Sequence, residues 1–422
     1  MLHRLLYRRK RRDRWWRFLV LKDAYIRDEN GPVLTSGQHG GLPWAFKRFG
    51  YPVPPSLSSF WTVLVSRGAA RCPELTREHL EDLQSRAREL DPEELPFMGW
   101  LDLFRLCIGI GFFETARILR EKGLDRAFVD AGAATAGLSQ VTLACYAEVE
   151  RERFDEARSM LERMASLGCG PRRLEQARWT VSLMSGGKID PDATGVWASS
   201  ADPAFGDTIA GKRVALVGPV ATEVIHGSEI DQHDVVVKFG YRGGNQGRDP
   251  RTQGERIDIA YYNNTQAKAL SRSDYEAVIS TLRWGVCNNR KGSSFFPDTL
   301  PNLRLLTSLQ WFLPDTHLNA GPNAVIDMLR FGPGEIRIFN TDMMLSSGRF
   351  AGYRQPNDKP TDYTRSFIKT HDPILQYQVM RRLWSCGYIK GDDRFEEVMA
   401  MGLSGYLEEL QKAYGADTCA LF

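Results

Sequence analysis

Arg213-Val-Ala-Leu-Val-Gly218 is the stretch on which the fold turns: an apolar run of strand length that closes on a glycine. Asp234-Val-Val-Val-Lys-Phe239 repeats the pattern, and Glu335-Ile-Arg-Ile-Phe339 repeats it again behind a helix of about ten residues that starts near Asn323. Between them, Ile257 to Tyr261 is strand-like. Short apolar runs alternating with helical stretches predict an α/β domain, which we place at residues 210–422. A strand that ends in glycine and feeds a helix sets backbone N–H groups where a phosphate can sit. Gly218 lacks the further glycines of a dinucleotide fingerprint, so the residues alone point to nucleotide binding without naming the nucleotide.

Upstream, residues 187–209 are polar and small and read as a linker. Asp190-Pro191-Asp192 within it reads as a turn around a proline; a metal-binding Asp pair would follow a buried strand. Residues 75–186 read as an all-α, helical-repeat-like domain. Asp91-Pro92-Glu93-Glu94 is a helix start, with Asp as cap, Pro in the first position and acids in the first turn. Phe113-Glu-Thr-Ala-Arg117 recurs as Phe154-Asp-Glu-Ala-Arg158, 41 residues later, each copy running into an apolar helix and then Gly123 or Gly168. The recurrence resembles tetratricopeptide hairpins, in which Ala and Phe pack one helix on the next; a plain helical bundle is the alternative. Residues 23–74 read as an irregular connecting segment, rich in Gly, Pro and aromatics from 30 to 73 and without sustained periodicity.

Residues 1–22 carry nine Lys/Arg against one Asp, while the whole chain is only +3, so the basicity belongs to this head and the remainder is net acidic. Leu2, Leu5, Leu6, Trp15, Trp16, Phe18 and Leu19 are interleaved with the cations, the mixture a peripheral helix uses on an anionic membrane surface. A solvated basic tail, or a strand at Phe18 to Leu21, is the alternative. No nucleic acid is expected as a partner, because nothing beyond the head is basic. The composition, 42% hydrophobic and 25% charged over 422 residues, suits a globular chain of two or three domains and excludes disordered, collagen-like and disulfide-scaffold classes. No run approaches a membrane span and no secretory signal opens the chain, so a cytoplasmic protein, peripheral on the inner face of the cell membrane, is expected. Seven scattered cysteines without a CxxC pair read as reduced thiols, and the seven histidines offer no paired zinc ligands.

Taken in order, Arg213-Val-Ala-Leu-Val-Gly218, Gly227-Ser-Glu-Ile-Asp231-Gln-His-Asp234-Val-Val-Val-Lys238 and Gly254-Glu-Arg256-Ile-Asp258 resemble the large sialylmotif of the sialyltransferase family. Asn319-Ala-Gly321-Pro-Asn323-Ala-Val-Ile-Asp-Met-Leu329, with the strand behind it, is similar to the small sialylmotif, and His371-Asp-Pro-Ile-Leu-Gln376 to the final one. The likeness runs from residue 210 to about 390 and implies a GT-A-like domain that uses a CMP-activated keto-deoxy sugar of the sialic acid or ketodeoxyoctonate (Kdo) type. By position it implies that Gly218, Pro219, Lys238, Arg256, Tyr262, Asn263, Asn319, Gly321 and Asn323 bind the nucleotide and the donor. The chain departs from the animal pattern at Pro219 and Gly240, which replace Asn, at Ala320 with Gly321-Pro322, which replace Ser-Thr, and at Gln376, which replaces Glu. Val214 stands where the first of two linked cysteines would be. These departures imply a bacterial-type member and put the animal-type donor contacts in doubt, which leaves the donor open between sialic acid and Kdo.

Transfer from such a donor expels CMP through an oxocarbenium-like centre, which asks for positive charge at one phosphate and a base for the acceptor hydroxyl, and requires no metal. His371 is the candidate base; Thr370-His-Asp372-Pro373 is equally a helix start, and the two roles are compatible. His317 is the second candidate, while His226 and His233 serve the loop around them. Lys238, Arg242, Arg248, Arg251 and Arg256 crowd one segment with only Asp249 and Glu255 among them, a cluster suited to phosphate and carboxylate groups; a solvated loop is the alternative. Asp231 and Asp234 read as fixing a turn. The expected function is an inverting, metal-independent glycosyltransferase that moves a keto-deoxy sugar onto a cell-surface glycan or glycolipid. Its rival is a helical-repeat scaffold with a degenerate, non-catalytic nucleotide-binding domain, for which Pro219, Gly240 and Gln376 argue.

Overall fold

A computed structural model describes residues 13–29, 41–66, 77–188, 199–346, 348–353 and 363–414. Most of the basic head, and all of Asp190-Pro191-Asp192, lies outside the described residues. The chain divides into two compact units: Met1–Ala147 with Asp362–Ile374 and Leu403–Phe422, and Glu148–Thr361 with Leu375–Gly402.

The first unit is helical. Its innermost helix, Phe97–Gly109, is buried on every side, as a helix that is apolar all round must be. Phe113–Gly132 lies along it and passes through Gly123 instead of ending there; a Cβ at Gly123 would sit 3.2 Å from the Trp100 Cβ, so the glycine serves close helix packing. Arg14–Glu29 is a helix, not a strand at Phe18 to Leu21, and it buries Phe18, Leu21, Ala24 and Tyr25. Arg17 goes inward with them to Asp102 of the innermost helix (Nε–Oδ1 2.8 Å) and also donates to the Tyr51 hydroxyl.

Two sequence readings need correction in this unit. Within the segment read as irregular, Gly41–Phe49 and Pro55–Ser66 are helices; both are too short for a periodic signal and start at a Gly and a Pro that read as loop. Asp91-Pro92-Glu93-Glu94 makes only a single 3-10 turn, with Asp91 accepting the Glu93 N–H at 2.9 Å. Pro96 holds Leu95 extended (φ −127°, ψ 149°), so the turn cannot propagate and Phe97–Gly109 begins afresh.

The recurring pentapeptide marks two equivalent helix starts, Phe113–Gly132 and Phe154–Ser166. The residues ahead of them, Phe112 and Arg153, share backbone angles of φ −94°, ψ 69° and φ −93°, ψ 74°. Each copy buries its Ala and pairs its Arg with the acid three residues back, Arg117 with Glu114 at 2.6 Å and Arg158 with Asp155 at 2.5 Å. One copy belongs to each unit, so the recurrence is one of local structure.

The second unit, Glu148–Thr361 with Leu375–Gly402, carries a seven-stranded, all-parallel sheet, the α/β architecture expected of residues 210–422. Its strands are β1 Arg213–Val217, β2 Val235–Phe239, β3 Ile259–Tyr262, β4 Trp284–Cys287, β5 Leu303–Leu305, β6 Glu335–Phe339 and β7 Lys390–Gly391, in the order β5-β4-β3-β2-β1-β6-β7. Val214 of β1 lies opposite Val235 of β2 on one side and Ile336 of β6 on the other. β2 and β3 are buried along their whole length and β1 from its second residue, which is why they read as unbroken apolar runs. Alternate residues choose faces: Ala215, Val217, Val236 and Phe339 close over Ile230 of the helix Gly227–Asp231, while Ala260, Tyr262 and Cys287 pack with Ala267, Leu270 and Ile279. The winding runs outward from β1 to β5 and then lays β6 on the free side of β1. Between β1 and β6 the order reverses, and a sheet of this kind opens its ligand crevice at the carboxyl ends there.

The residues read as a linker contain the helix Asp202–Ile209, and its first residue is locked into the sheet. Arg304 donates to Asp202 (2.6 Å) and Asp327 (2.5 and 2.9 Å), Arg330 donates to Asp202 (2.8 Å), and the Tyr261 hydroxyl donates to Asp327 (2.8 Å). All five side chains are buried. Two guanidinium groups and two carboxylates balance, which is the condition for charge to be tolerated at such depth. Burial alone would push the Asp202 carboxyl up, but Arg304 and Arg330 outweigh it and hold it at about 2.

Candidate functional site

Gly218 follows β1 directly. Its N–H donates to the Phe339 carbonyl at 2.8 Å, and a Cβ there would collide with the Asn340 carbonyl and Thr341 Oγ1. A residue without a side chain therefore lets the loop behind β6 close on the end of β1. Farther along that loop, Arg349 bridges to Val220 and the Phe350 N–H donates to the Pro219 carbonyl at 3.1 Å. What remains is a tight, shallow cleft, with no enclosed space for even a water molecule, lined by Val217, Gly218, Pro219, Lys238, Phe239, Arg248, Gln253 and Phe350.

Two cations are sunk into this pocket, Lys238 at 1% exposure and Arg248 at 5%. Lys238 Nζ donates to the Gly254 carbonyl at 2.8 Å. Arg248 donates to Gln246 Oε1 at 3.0 Å and to the Phe239 carbonyl at 3.3 Å, with its guanidinium carbon 4.9 Å from the centre of the Phe350 ring. Among the described residues neither cation has a carboxylate partner, and the Arg248 Nε–H has no acceptor. Burial pushes the Lys238 ammonium down to about 7, with the Arg248 charge adding to the effect. Burial, then the Arg242 charge, lowers Arg248 to about 10. The Asp231 carboxylate only partly offsets the cost of the buried Lys238 ammonium, and a buried cation without a hydrogen-bonded carboxylate is expensive, so a fold that keeps two such cations in one lining is suited to an anion. Gln246 Nε2, Asn340 Oδ1 and Tyr262 Oη are also buried without partners; Tyr262 senses the charges of Arg248 and Arg242, and burial drives its hydroxyl well above its ordinary range. Within the lining itself, the unmet Arg248 Nε–H is the group that an anion would satisfy.

Of the residues expected to hold a donor, Gly218, Pro219 and Lys238 line the pocket. Tyr262 ends β3, with its ring in the core. Asn263 caps the helix Asn264–Leu270 in a reciprocal pair with Gln266, accepting at 2.9 Å and donating at 3.0 Å, which is ordinary capping chemistry. Arg256 stands at the amino ends of β2 and β3, donating to the carbonyls of Asp231 (2.7 Å) and His233 (2.6 Å) and to Asp258 (2.9 Å). Asp231 accepts the N–H groups of Glu255 and Arg256, and Asp234 that of Arg213, so both acids fix turns. Arg251 is exposed and paired with Asp249 at 2.8 Å. Of the five crowded cations, then, Lys238 and Arg248 enter the pocket, Arg242 flanks it by donating to the Gly352 carbonyl at 3.2 Å, and Arg251 and Arg256 are engaged elsewhere.

Asn319, Gly321 and Asn323 form the start of the helix Ala320–Leu329, three residues ahead of the start read from the sequence. The Asn319 N–H donates to Gln376 Oε1 at 2.8 Å, and Gln376 Nε2 donates to the His317 carbonyl at 2.8 Å. Asn323 Nδ2 donates to the Leu318 carbonyl, and Asn319 Nδ2 lies 3.0 Å from Met344 Sδ in the loop behind β6. Nothing crowds the position a Cβ would take at Gly321. The fully buried Gln376 thus holds the first turn of this helix. His317 Nε2 is 2.8 Å from Gln310 Nε2, and His233 Nδ1 is 2.9 Å from the Glu229 carbonyl. His226 lies 3.6 Å from Glu229 within the same loop. His371 belongs to the first unit, where its N–H donates to the Ser366 carbonyl at 3.0 Å. Asp372 beside it accepts the Ile374 N–H at 2.9 Å and pairs with buried Arg120 at 2.5 Å.

Sequence reasoning met Arg248 only as one of a crowd and missed Gln246, Gln253, Asn340 and Phe350. The crowding of cations with few acids was the available signal; no spacing rule ties Phe350 to β2. Among the described residues no group of three or more His, Cys, Asp or Glu is gathered as a metal-ligand set, and no helix is long and apolar enough to cross a membrane. Set against models of known protein families the chain matches none, and no curated protein matches it.

Proposed function

We propose that the second unit is a GT-A-like domain of the sialyltransferase type, which binds a CMP-activated keto-deoxy sugar of the sialic acid or Kdo type and transfers the sugar with inversion to a cell-surface glycan or glycolipid. The observation that carries this reading is the pair of buried cations at the carboxyl end of β2, beside the point where strand order reverses. A CMP-sugar brings one negative charge on a phosphodiester; as the bond from the sugar C2 to the phosphate oxygen breaks, its electron pair stays on that oxygen and the phosphate gains a second. Lys238 and Arg248 therefore gain attraction as the reaction proceeds, and a preorganised site of this sort lowers the barrier rather than merely binding substrate. The acceptor hydroxyl oxygen forms the new bond to C2 from the opposite face and gives its proton to a base. Two fixed cations suffice for one phosphate, so metal independence is part of the proposal.

The test is release of CMP from CMP-sialic acid and CMP-Kdo in the presence of lipid-linked glycan acceptors and a chelator. Turnover should fall about 100-fold or more in Lys238→Gln and in Arg248→Gln, the size found when one donor to a developing oxyanion is removed. CMP binding by a wild-type chain that turns over neither donor would favour the scaffold reading.

A further inference from the structure

Phe18, Val20 and Leu21 of the head are buried within the first unit and so cannot also face a bilayer, while Trp15, Trp16 and Leu19 are half-buried. Another part of the same helix and its neighbour carries a different arrangement. Arg27 lies 5.1 Å from the centre of the Trp44 ring, and Arg48 lies 4.9 Å from Trp44 and 5.6 Å from Trp16. Trp16 meets Phe49 edge-on at 6.0 Å. Trp16, Trp44 and Arg48 are half-buried, while Arg27 and Lys47 are exposed.

We propose that this ladder of Arg and Trp, on the helices Arg14–Glu29 and Gly41–Phe49, is the surface through which the protein binds the anionic face of a lipid bilayer. Indole rings settle where an apolar environment meets a wet one, and guanidinium groups lying over aromatic faces keep their charge while shedding little hydration. Residues 1–50 hold twelve Lys/Arg against four acids, so the ladder continues a strongly basic stretch. A bilayer is favoured over a nucleic acid because the cations lie over half-buried indole rings, whose amphipathic faces suit the boundary between headgroups and acyl chains. This surface does not depend on the pocket in the second unit.

The experiment is sedimentation of the full chain with vesicles of phosphatidylcholine alone or with about 30% phosphatidylserine. The protein should bind only the anionic vesicles and should release as salt rises. Arg27→Gln, Lys47→Gln and Arg48→Gln should each weaken binding about fivefold, the effect of one cation near an anionic surface. Trp44→Ala should weaken it at every salt concentration, because the indole contributes burial as well as charge. Arg77→Gln, an exposed cation elsewhere in this unit, should bind as the wild type does. Removing residues 1–12 should weaken binding and leave a remainder that still responds to the ladder substitutions. All these residues are at least partly exposed, so the variants should keep the wild-type circular dichroism spectrum. Unchanged binding in the ladder variants would overturn the proposal. So would tighter binding of a DNA duplex with the same residue dependence, since the surface would then be one for nucleic acid.

Discussion

Replacing Lys238 by Met removes a buried ammonium while keeping the length of the side chain. In the folded protein that ammonium titrates at about 7 against 10.5 for an ordinary lysine. The native state therefore binds fewer protons than the unfolded chain between these values, and stability rises with pH through that window. At about 1.4 kcal/mol per pH unit, the ammonium costs the fold roughly 4 kcal/mol at pH 7 and roughly 2 kcal/mol at pH 9. Met forgoes the hydrogen bond to the Gly254 carbonyl, a loss of about 1 kcal/mol. The variant should thus be more stable than the wild type by about 3 kcal/mol at pH 7, with the gap closing by about 2 kcal/mol by pH 9. Urea denaturation across this range measures the gap, and hydrogen exchange of peptides from β1 and β2 assigns it to the sheet unit. Phosphate or CMP should narrow the gap by stabilising only the protein that keeps the cation. A gap independent of pH, or a Met variant less stable at pH 7, would refute the reading of Lys238 as a cation awaiting an anion.

Other consequences follow from the same packing. Asp327→Ala strips one carboxylate from the buried Arg304–Arg330 cluster and should cost about 3 to 5 kcal/mol by urea titration. Asp202, held at about 2 against 3.8, contributes stability that is complete above pH 4 and lost as pH falls toward 2. That contribution is about 2 kcal/mol, and Asp202→Asn should flatten acid unfolding in this window when followed by circular dichroism. Gly218→Ala should lower stability by about 1 to 3 kcal/mol and weaken anion binding together, because the added methyl pushes the loop behind β6 off the pocket; calorimetry alongside thermal melts separates the two effects. Gln376→Leu leaves the Asn319 N–H and the His317 carbonyl unmet and should cost about 2 kcal/mol, read by exchange in the first turn of Ala320–Leu329.

The strands β1, β2 and β6 stand within a residue of where their apolar runs placed them, because strands buried on both faces need unbroken hydrophobicity and little else has it. β4, β5 and β7 escaped notice: Trp284-Gly-Val-Cys287 is interrupted by a glycine, Leu303–Leu305 has a buried Arg in its middle, and Lys390–Gly391 is two residues long. Arg304 shows the limit well, since a charged residue reads as surface until its two partners, 102 residues before it and 23 after, are known. In the site, Lys238 was legible from its place at a strand end. Arg248 was not separable from Arg251 and Arg256, because three arginines in one loop look alike until their acceptors are seen. Gln376 was legible only as a departure, and its part in holding Asn319 comes from contacts 57 residues apart.

The most direct test of the central claim is calorimetric titration of the wild type, Lys238→Met and Arg248→Gln with CMP, UMP, GMP, AMP and inorganic phosphate, first without metal and then with magnesium. Selective, metal-independent binding of CMP, weakened at least tenfold in each variant and accompanied by proton uptake above pH 7, is the expected result. Absence of binding by every nucleotide and by phosphate, or binding that neither substitution alters, would contradict the assignment of Lys238 and Arg248 as an anion site.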